Sequence, residues 1–207
     1  PAGGYSYVSD QRKKGSVKEL FSQGFLGPTI LLWIACFFNV LIIYFVISWI
    51  PSLLRTTELT RDAGVLAVTA FSFGGMIGSL AQGALMNRFG VRRFILMEFV
   101  ACLCCFGALS AVSSNLIFSV ALFGLLGFMV NGIQAGLNVF AIEKIYPLSI
   151  RATGIGWAGG IGRIGSMTGP LLGGLFLTFH LTINQVYLMA LLPVVAAAIA
   201  TFFNKSK

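Results

Sequence analysis

Six long apolar runs alternate along the chain with short polar segments. A helix needs roughly 20 mainly apolar residues to cross a bilayer, and each run is close to or above that length. The pattern predicts transmembrane helices at residues 29–50, 63–86, 94–112, 116–141, 153–178 and 182–203. Because the connections are short, neighbouring helices are expected to be antiparallel. The predicted fold class is an all-α membrane protein with a six-helix domain at 29–203, flanked by polar segments at 1–28 and 204–207.

The fifth run contains one charged residue, Arg163, in an otherwise uncharged stretch. A cation near the centre of a bilayer costs between about 2.5 and more than 10 kcal/mol, so it normally faces protein or a wet cavity. Three interpretations fit this placement. The guanidinium binds the carboxylate of a ligand through two hydrogen bonds, it pairs with an acidic or amide side chain of another helix, or it snorkels to the membrane surface.

Small residues share a helical face with this arginine, namely Gly156, Gly159, Gly160, Ser166 and Pro170. They leave room either for a neighbouring helix or for a ligand. The run also contains two G-x-G-x-x-G matches, but a dinucleotide fingerprint requires a preceding strand and an acidic residue about 20 positions later. No strand pattern precedes the glycines, and the last acidic residue of the chain is Glu143, so the nucleotide interpretation fails.

A polar stripe marks the fourth run, where Asn131, Gln134 and Asn138 are spaced as i, i+3 and i+7. Amide side chains inside a membrane need partners, so the stripe is expected to face protein or water. It either lines a substrate path or holds helices together, and the sequence leaves both interpretations open. Asn39 and Tyr44 in the first run and Gln82 in the second are weaker candidates of the same kind.

Glu98 is the one acidic residue placed clearly inside a predicted span. It follows Arg92 and Arg93 by about one to two turns of helix. A structural ion pair with these cations is the expectation, and a titrating group is the alternative.

The overall composition places the chain among polytopic membrane proteins, because 57% of its residues are hydrophobic and only 10% are charged. Eleven of its fourteen basic residues fall in the terminal segments and in the second and fourth connections, against two in the first connection. The positive-inside rule therefore predicts that both termini are cytoplasmic. The net charge of +8 is spread over short loops rather than over a folded basic face, which excludes nucleic acid as a partner.

Four cysteines, Cys36, Cys102, Cys104 and Cys105, lie inside apolar runs, where they are expected to act as small hydrophobic residues. No histidine lies near them, and no cofactor or metal is expected. No arrangement of nucleophile and base is present either, so the chain is not expected to be an enzyme. The chain starts at Pro1 with a polar segment, which we interpret as a cut through a longer protein.

Two segments of the sequence resemble a known family. Gly83-Ala-Leu-Met-Asn-Arg-Phe-Gly-Val-Arg-Arg93 is similar to the cytoplasmic loop motif of the major facilitator superfamily, G-x-x-x-D-R-x-G-R-R. The run from Tyr146 to Gly174, with Pro-Leu-Ser-Ile-Arg-Ala-Thr-Gly after Tyr146, resembles the aromatic acid:proton symporters of that superfamily. The resemblance implies the C-terminal half of a transporter, helices seven to twelve, in a bacterial-type inner membrane. Asn87 departs from the motif, because the family usually has aspartate at this position.

Under this resemblance the substrate is a benzoate-like organic anion that is imported with protons, and Arg151 and Arg163 occupy the positions of functional arginines. Arg163 is expected to contact the carboxylate, with Asn131, Gln134, Asn138 and Trp157 shaping the cavity. The expected partners are the anion, protons, the lipid bilayer and a missing six-helix N-terminal half. Ion pairs of Arg88, Arg92, Arg93, Glu143 and Arg151 are expected to close the cytoplasmic side.

Other functions stay open at this level. The chain could act as a non-transporting scaffold or subunit built on half a transporter, or it could be an inactive truncated fragment. A superfamily member that carries a different organic solute, such as a sugar, is a further alternative.

Overall fold

The computed structural model describes residues 17–22, 24–54, 62–111, 115–179 and 181–204. Within these ranges the chain is helical, with short turns between the helices. The elements are α1 (Val17–Leu20), α2 (Leu26–Leu54), α3 (Ala63–Phe89), α4 (Val91–Ala111), α5 (Leu116–Phe140), a π-helical turn (Ala141–Ile145), α6 (Arg151–Thr178) and α7 (Ile183–Phe203). Outside the described residues lie several cations used for the predicted topology, namely Arg12, Lys13, Lys14, Arg55, Arg61, Lys205 and Lys207.

The six predicted membrane helices are confirmed as α2 to α7. Their ends differ from the predicted ones by up to four residues, because helices continue into the polar flanks of the apolar runs. The fourth run differs most in character, since α5 ends at Phe140 and continues as a π-helical turn through Ala141–Ile145. Such a turn is rare and frequently marks functional segments.

Five of these helices, α2, α3, α4, α5 and α7, are long and apolar enough to cross a membrane when the described residues are searched. Helix α6 has sufficient length, 28 residues, but its sequence includes nine glycines and two arginines. These residues lower its mean hydropathy. The outer surface is apolar as a bilayer requires, with Leu80, Ile117, Leu171 and Leu192 at least 69% exposed.

Glycines bring the helices together in two close pairs, α3 with α5 and α2 with α6. Gly74 and Gly78 of α3 lie directly against the backbone of Gly124 and Phe128 in α5. A β-carbon at either glycine would overlap a carbonyl group of α5. Gly74 and Gly78 are four residues apart, and this small-xxx-small spacing allows the close contact between the two helices.

One row of glycines on α6 packs against α2. A side chain at Gly165 would overlap the carbonyl of Phe37, and one at Gly169 would come within 2.7 Å of the Leu41 carbonyl. Next to Gly169 in the chain, the carbonyl of Pro170 accepts a hydrogen bond from the indole Nε1 of Trp49 at 2.7 Å. The two helices are therefore in contact along most of the length of α6.

The end of the bundle that carries Arg88, Arg92, Arg93, Lys144 and Arg151 is called the basic end below. Polar contacts hold α2 at this end. The Tyr146 hydroxyl donates to Thr29 Oγ1 at 3.0 Å, and Asn204 Nδ2 donates to the Pro28 carbonyl at 3.0 Å. Burial raises the pKa of Tyr146, so its hydroxyl stays protonated and remains a hydrogen-bond donor.

Candidate functional site

A cleft of about 440 Å³ opens between helices α2, α5 and α6. Its lining consists of Val40, Ile43, Tyr44 and Ile47 of α2, Asn131 and Gln134 of α5, and Gly159, Gly162, Arg163 and Ser166 of α6. One wall is mainly apolar, and polar groups from two other helices converge on the same space. This combination is typical of small-molecule sites.

A larger groove of about 680 Å³ runs over α4 and α5, and its lining is almost entirely apolar. Arg93 at the basic end is its one charged residue, and the rest are apolar side chains and cysteines such as Cys104 and Cys105. Because polar groups do not converge there, the groove offers no recognition of a polar solute, and the smaller cleft is the better candidate.

The glycines of α6 keep the cleft open. A β-carbon at Gly156, Gly159 or Gly160 would meet no atom within 4 Å among the described residues. The opposite row on the same helix, which includes Gly165 and Gly169, is pressed against α2. Helix α6 therefore has one glycine face for packing and another that faces open space beside Arg163.

Arg163 is exposed in the cleft. Its guanidinium makes no hydrogen bond or ion pair within the part of the chain that the structure describes. The backbone carbonyl of Arg163 accepts a hydrogen bond from Ser166 Oγ at 2.7 Å, which holds that hydroxyl near the cleft. Arg163 is therefore not paired with another of the described helices, and its five guanidinium N–H donors stay available.

Two amides connect the cleft to a buried contact between α2 and α5. Asn39 is fully buried, and its Nδ2 donates to Gln134 Oε1 at 3.0 Å and to the Val130 carbonyl at 3.1 Å. The contact holds the side chain of Gln134, which lines the cleft wall. Asn39 therefore positions Gln134 from the buried interface between α2 and α5, and it does not line the cleft itself.

Asn131 is placed by its own helix and by α3. Its Nδ2 donates to the Gly127 carbonyl at 3.1 Å, one turn earlier in α5. The side chain lies over Gly75 of α3, where a β-carbon would overlap its amide. The third member of the polar stripe, Asn138, is partly buried and does not line the cleft.

Two aromatic residues border the open space at different positions. Tyr44 is 46% exposed and lines the cleft from α2. Trp157 lines a neighbouring recess of about 330 Å³ on α6 and stacks on Trp33, with ring centroids 5.8 Å apart and an interplanar angle of 24°. The structure therefore places Trp157 beside the cleft, nearer the basic end, rather than in the lining with Arg163.

The residues expected to form a gate all lie at the basic end. Arg88 stacks on its neighbour Phe89, while Arg92 donates to the Phe202 carbonyl and lies over the Phe202 ring. Arg151 Nε donates to the Tyr146 carbonyl at 3.5 Å. Arg93 and Glu143 are exposed, Glu143 on the π-helical turn. No ion pair joins any two of these five residues within the described ranges.

The expected ion pair of Glu98 with Arg92 or Arg93 is wrong. Glu98 is 4% exposed, and its carboxylate accepts a hydrogen bond from Gln82 Nε2 of α3 at 2.7 Å. Its side chain points toward α3, and Arg92 is held at the C-terminal end of α7 by Phe202. The contact of Glu98 with Gln82 depends on how α3 packs against α4. It could not be predicted from the spacing of Arg92, Arg93 and Glu98 along α4.

The apolar wall of the cleft was not foreseen from the sequence. Val40, Ile43, Tyr44 and Ile47 lie on one face of α2, at positions i, i+3, i+4 and i+7. Almost every position of α2 is apolar, so hydrophobicity gave no means of distinguishing this face. Within the described residues, no group of three or more histidine, cysteine, aspartate or glutamate side chains is arranged to hold a metal ion.

Comparison with known families identifies the architecture. Residues 32–207 match the sequence model of the Major Facilitator Superfamily. The chain belongs to the Major Facilitator Superfamily. This membership accounts for the all-α membrane fold, and the family consists of transporters rather than enzymes.

Curated relatives within the superfamily include several aromatic acid transporters. The gallate transporter of Pseudomonas putida is 36% identical over 194 residues, which cover 92% of this chain and 42% of the relative. The 4-hydroxybenzoate transporter PcaK of Acinetobacter baylyi is 35% identical, with 92% and 41% covered. The 3-(3-hydroxy-phenyl)propionate transporter of Escherichia coli is 31% identical, with 97% and 49% covered.

The chain spans somewhat less than half the length of these relatives. The family resemblance read from the loop motif and from the run after Tyr146 is confirmed. Together with the apolar helices, the match shows an integral membrane protein of a transporter family.

Proposed function

We propose that the complete protein is a secondary transporter that imports an aromatic or related organic carboxylate together with protons. The present chain supplies one six-helix half, and a second half covers the open side of the cleft. The two halves rock about the site so that it opens to each side of the membrane in turn.

The unpaired guanidinium of Arg163 in the cleft supports this proposal most strongly. An arginine binds a carboxylate through two parallel N–H···O bonds, which fix the orientation of the anion as well as its position. A buried ligand charge also offsets the cost of keeping the cation inside the membrane domain. The cleft volume of about 440 Å³ falls within the range of small-molecule sites.

The remaining lining suits an aromatic ring that bears polar groups. The wall of Val40, Ile43 and Ile47 offers apolar contact to a ring, while Asn131 and Gln134 offer hydrogen bonds to ring hydroxyls. Gallate, 4-hydroxybenzoate and 3-(3-hydroxyphenyl)propionate, for which three relatives are named, each combine a ring, a carboxylate and at least one hydroxyl group. Trp157 and Asn138 are assigned to the path between the cleft and the basic end.

The arginines at the basic end, together with Glu143, are assigned to closing the cytoplasmic side. Arg88, Arg92, Arg93 and Arg151 would pair with acidic residues of the second half when that side closes, and Glu143 would pair with one of its cations. No ion pair joins these five residues to one another within the described ranges, so their charges can pair with those of a second half.

Uptake by cells that express the complete open reading frame tests the proposal. Labelled 4-hydroxybenzoate and gallate are the probes, and Arg163→Ala is compared with Arg163→Lys. We expect Arg163→Ala to lower uptake by about 10-fold to 100-fold, because a hydrogen bond to a charged group contributes about 1.5–3 kcal/mol. Arg163→Lys should retain part of the activity, since it keeps the charge and loses the two-point contact.

Lys144→Ala is the matched control, because it removes an exposed cation at the basic end, outside the cleft. It should leave uptake unchanged. Full uptake by Arg163→Ala at normal expression would contradict the role of the arginine. Uptake of a neutral sugar in place of the aromatic acids would overturn the substrate class, and no uptake of any solute would favour the scaffold interpretation.

A further inference from the structure

Glu98 and Gln82 form a buried contact that the proposed binding of substrate does not use. Glu98 lies on α4 at 4% exposure, and Gln82 lies on α3 at 1% exposure. A carboxylate buried in a membrane domain is expensive unless it is paired with a cation or neutralised by a proton. The surroundings of Glu98 decide between these two states.

The hydrogen bonding of the pair is incomplete as long as the carboxyl group is ionised. Gln82 Nε2 donates to Glu98 Oε2 at 2.7 Å. The other two oxygens, Glu98 Oε1 and Gln82 Oε1, are buried and have no hydrogen-bond partner among the described residues. Both lie 2.7 Å from the same point, the position that a β-carbon on Gly132 of α5 would occupy. The two unpartnered acceptors therefore share one small space left free by a glycine.

No cation neutralises Glu98 within the described residues. On its own helix, Arg92 is engaged with Phe202, Arg93 is exposed, and the buried Cys102 thiol lies one turn away. The elements packed around α4 contribute few further charged or titratable groups. These are the exposed Arg88 at the end of α3, the exposed Glu143 and Lys144 after α5, and the buried Tyr187 of α7.

A proton on Glu98 Oε1 satisfies both unpartnered oxygens at once. The O–H group would donate to Gln82 Oε1 while Gln82 Nε2 donates to Glu98 Oε2, which closes a ring of two hydrogen bonds. Reversing the amide of Gln82 changes nothing in this argument, because one oxygen of the carboxyl group would then still face the amide oxygen. An ionised carboxylate leaves two acceptors facing each other in either orientation.

We propose that Glu98 and Gln82 form a reciprocal acid–amide pair in which Glu98 binds a proton inside the helical domain. The pair joins α3 to α4 and is covered by Gly132 and Gly136 of α5. Opening the pair would let water reach it. The O–H bond of Glu98 then breaks, the proton passes to water, and the carboxylate is hydrated.

Resting on the proposed transport function, the pair is a proton-binding site for the transport cycle. Helix α5 connects it with the substrate cleft, because Gly132 covers the pair while Asn131 and Gln134 line the cleft. A shift of α5 that accompanies occupation of the cleft would therefore alter the cover of the acid–amide pair. This arrangement provides a physical route between substrate binding and release of the proton.

Infrared spectroscopy of the purified complete protein in detergent at pH 7 tests the protonation directly. The difference between wild type and Glu98→Gln should contain the carbonyl stretching band of a protonated carboxylic acid. Glu143→Gln, which changes an exposed carboxylate outside the helical core, should leave this band in place. A wild-type spectrum without the band, and with only carboxylate bands lost in Glu98→Gln, would overturn the proposal.

Gln82→Met provides a second test that does not depend on the folding of Glu98→Gln. Removing the amide should shift the acid band of Glu98 to higher frequency or abolish it, whereas an unchanged band would contradict the pairing. The Glu98→Gln variant should still bind the aromatic acid. In uptake assays, however, an inward proton gradient should no longer stimulate its uptake several-fold, as it does in wild type. Full stimulation in this variant would overturn the coupling. If wild type takes up no solute at all, the proposed transport function is contradicted. The infrared evidence for a protonated Glu98 would not depend on that result.

Discussion

Asn39 illustrates how a residue outside a cleft determines its chemistry. It is fully buried, and its single amide nitrogen contacts both Gln134 Oε1 and the Val130 carbonyl. The contact holds Gln134 in the cleft lining, in the same space as Arg163. The cleft thus combines a cation with amide side chains, an arrangement suited to an anion that carries further polar groups.

Replacing Asn39 should weaken substrate recognition without touching the cleft lining. In Asn39→Leu, Gln134 loses its donor and can rotate, so we expect KM to rise by about 3-fold to 10-fold, equivalent to about one hydrogen bond. The measurement is concentration-dependent uptake of the labelled aromatic acid. Ser119→Ala is the matched control, because Ser119 is buried on α5 and its hydroxyl has no hydrogen-bond partner in the described part of the chain. Equal KM values for the two variants would contradict the positioning role.

Tyr146 makes a pH-dependent contribution to stability at the basic end. Its pKa is raised above the ordinary value of 10.0, chiefly by burial. The folded state therefore holds this proton more tightly than the unfolded state does. The stabilisation is fully present below pH 10 and is lost as the pH rises from 10 toward the folded-state pKa.

Comparison of wild type with Tyr146→Phe isolates that contribution. The variant loses the hydrogen bond to Thr29, so we expect its free energy of unfolding to fall by about 1 kcal/mol at neutral pH. The difference from wild type should shrink as the pH rises above 10, as followed by thermal unfolding. A difference that stays constant up to pH 12 would show that the hydroxyl does not titrate with folding.

At the scale of elements, α6 both packs closely against α2 and carries Arg163, the proposed substrate-binding residue. Gly165 and Gly169 press against α2, while Gly156 and Gly159 border open space near Arg163. Helix α2 in turn contributes the apolar wall of the cleft from the helical face that holds Ile43. The position of the guanidinium therefore depends on the close approach of α2 and α6.

Enlarging Gly165 should separate these two helices. In Gly165→Ala the new methyl group overlaps the Phe37 carbonyl, and such overpacking typically costs about 1–3 kcal/mol. Thermal unfolding of the purified protein in detergent is the measurement. Gly107→Ala on α4 is the control, because a β-carbon there meets no atom within 4 Å. An equally stable Gly165→Ala would mean that α2 and α6 are not in the close contact described.

The apolar runs were sufficient to predict α2 to α7, because hydrocarbon thickness imposes length and hydrophobicity on each span. The small-xxx-small spacing of Gly74 and Gly78 accompanies the close packing of α3 against α5. The sequence did not predict the partner of Glu98, since the contact with Gln82 depends on how α3 and α4 are rotated. The π-helical turn after α5 was likewise not foreseen, because nothing in its residues distinguishes it from a continued α-helix.

The polar residues of the candidate site could be predicted, because a polar side chain is energetically costly inside a membrane and stands out in an apolar run. The apolar residues of the site could not be predicted, because most residues of these helices are apolar. Arg163 and Gln134 stand out as polar groups in apolar runs, and both line the cleft. Asn138 stands out equally, yet it lies away from the lining, because seven residues of helix bring it close to the basic end. Ile43 and Ile47 could not be singled out among the many apolar residues of α2.

At the scale of the whole molecule, the cleft opens on a side that the present helices leave uncovered. The chain spans somewhat less than half of its curated relatives, so the transport cycle is a property proposed for the complete protein. The basic end carries Arg88, Arg93, Lys144 and Arg151, and we propose from the positive-inside rule that it faces the cytoplasm.

Cysteine labelling tests this orientation. In the complete protein, Glu143→Cys at the basic end should react with a membrane-impermeant maleimide only after the cells are permeabilised. Asn115→Cys, which replaces the residue before α5 at the opposite end, should react in intact cells. The parent protein, with its native cysteines, provides the background. The reverse pattern would contradict the predicted topology.

The central claim is that Arg163 recognises the carboxylate of the transported solute. The most direct test is equilibrium binding of 4-hydroxybenzoate and of its neutral carboxamide to purified complete protein, wild type and Arg163→Ala. We expect wild type to prefer the carboxylate by about 10-fold or more, and Arg163→Ala to lose that preference, because the coupling between charge and arginine is then absent. An Arg163→Ala protein that still prefers the carboxylate to the same degree would contradict the account.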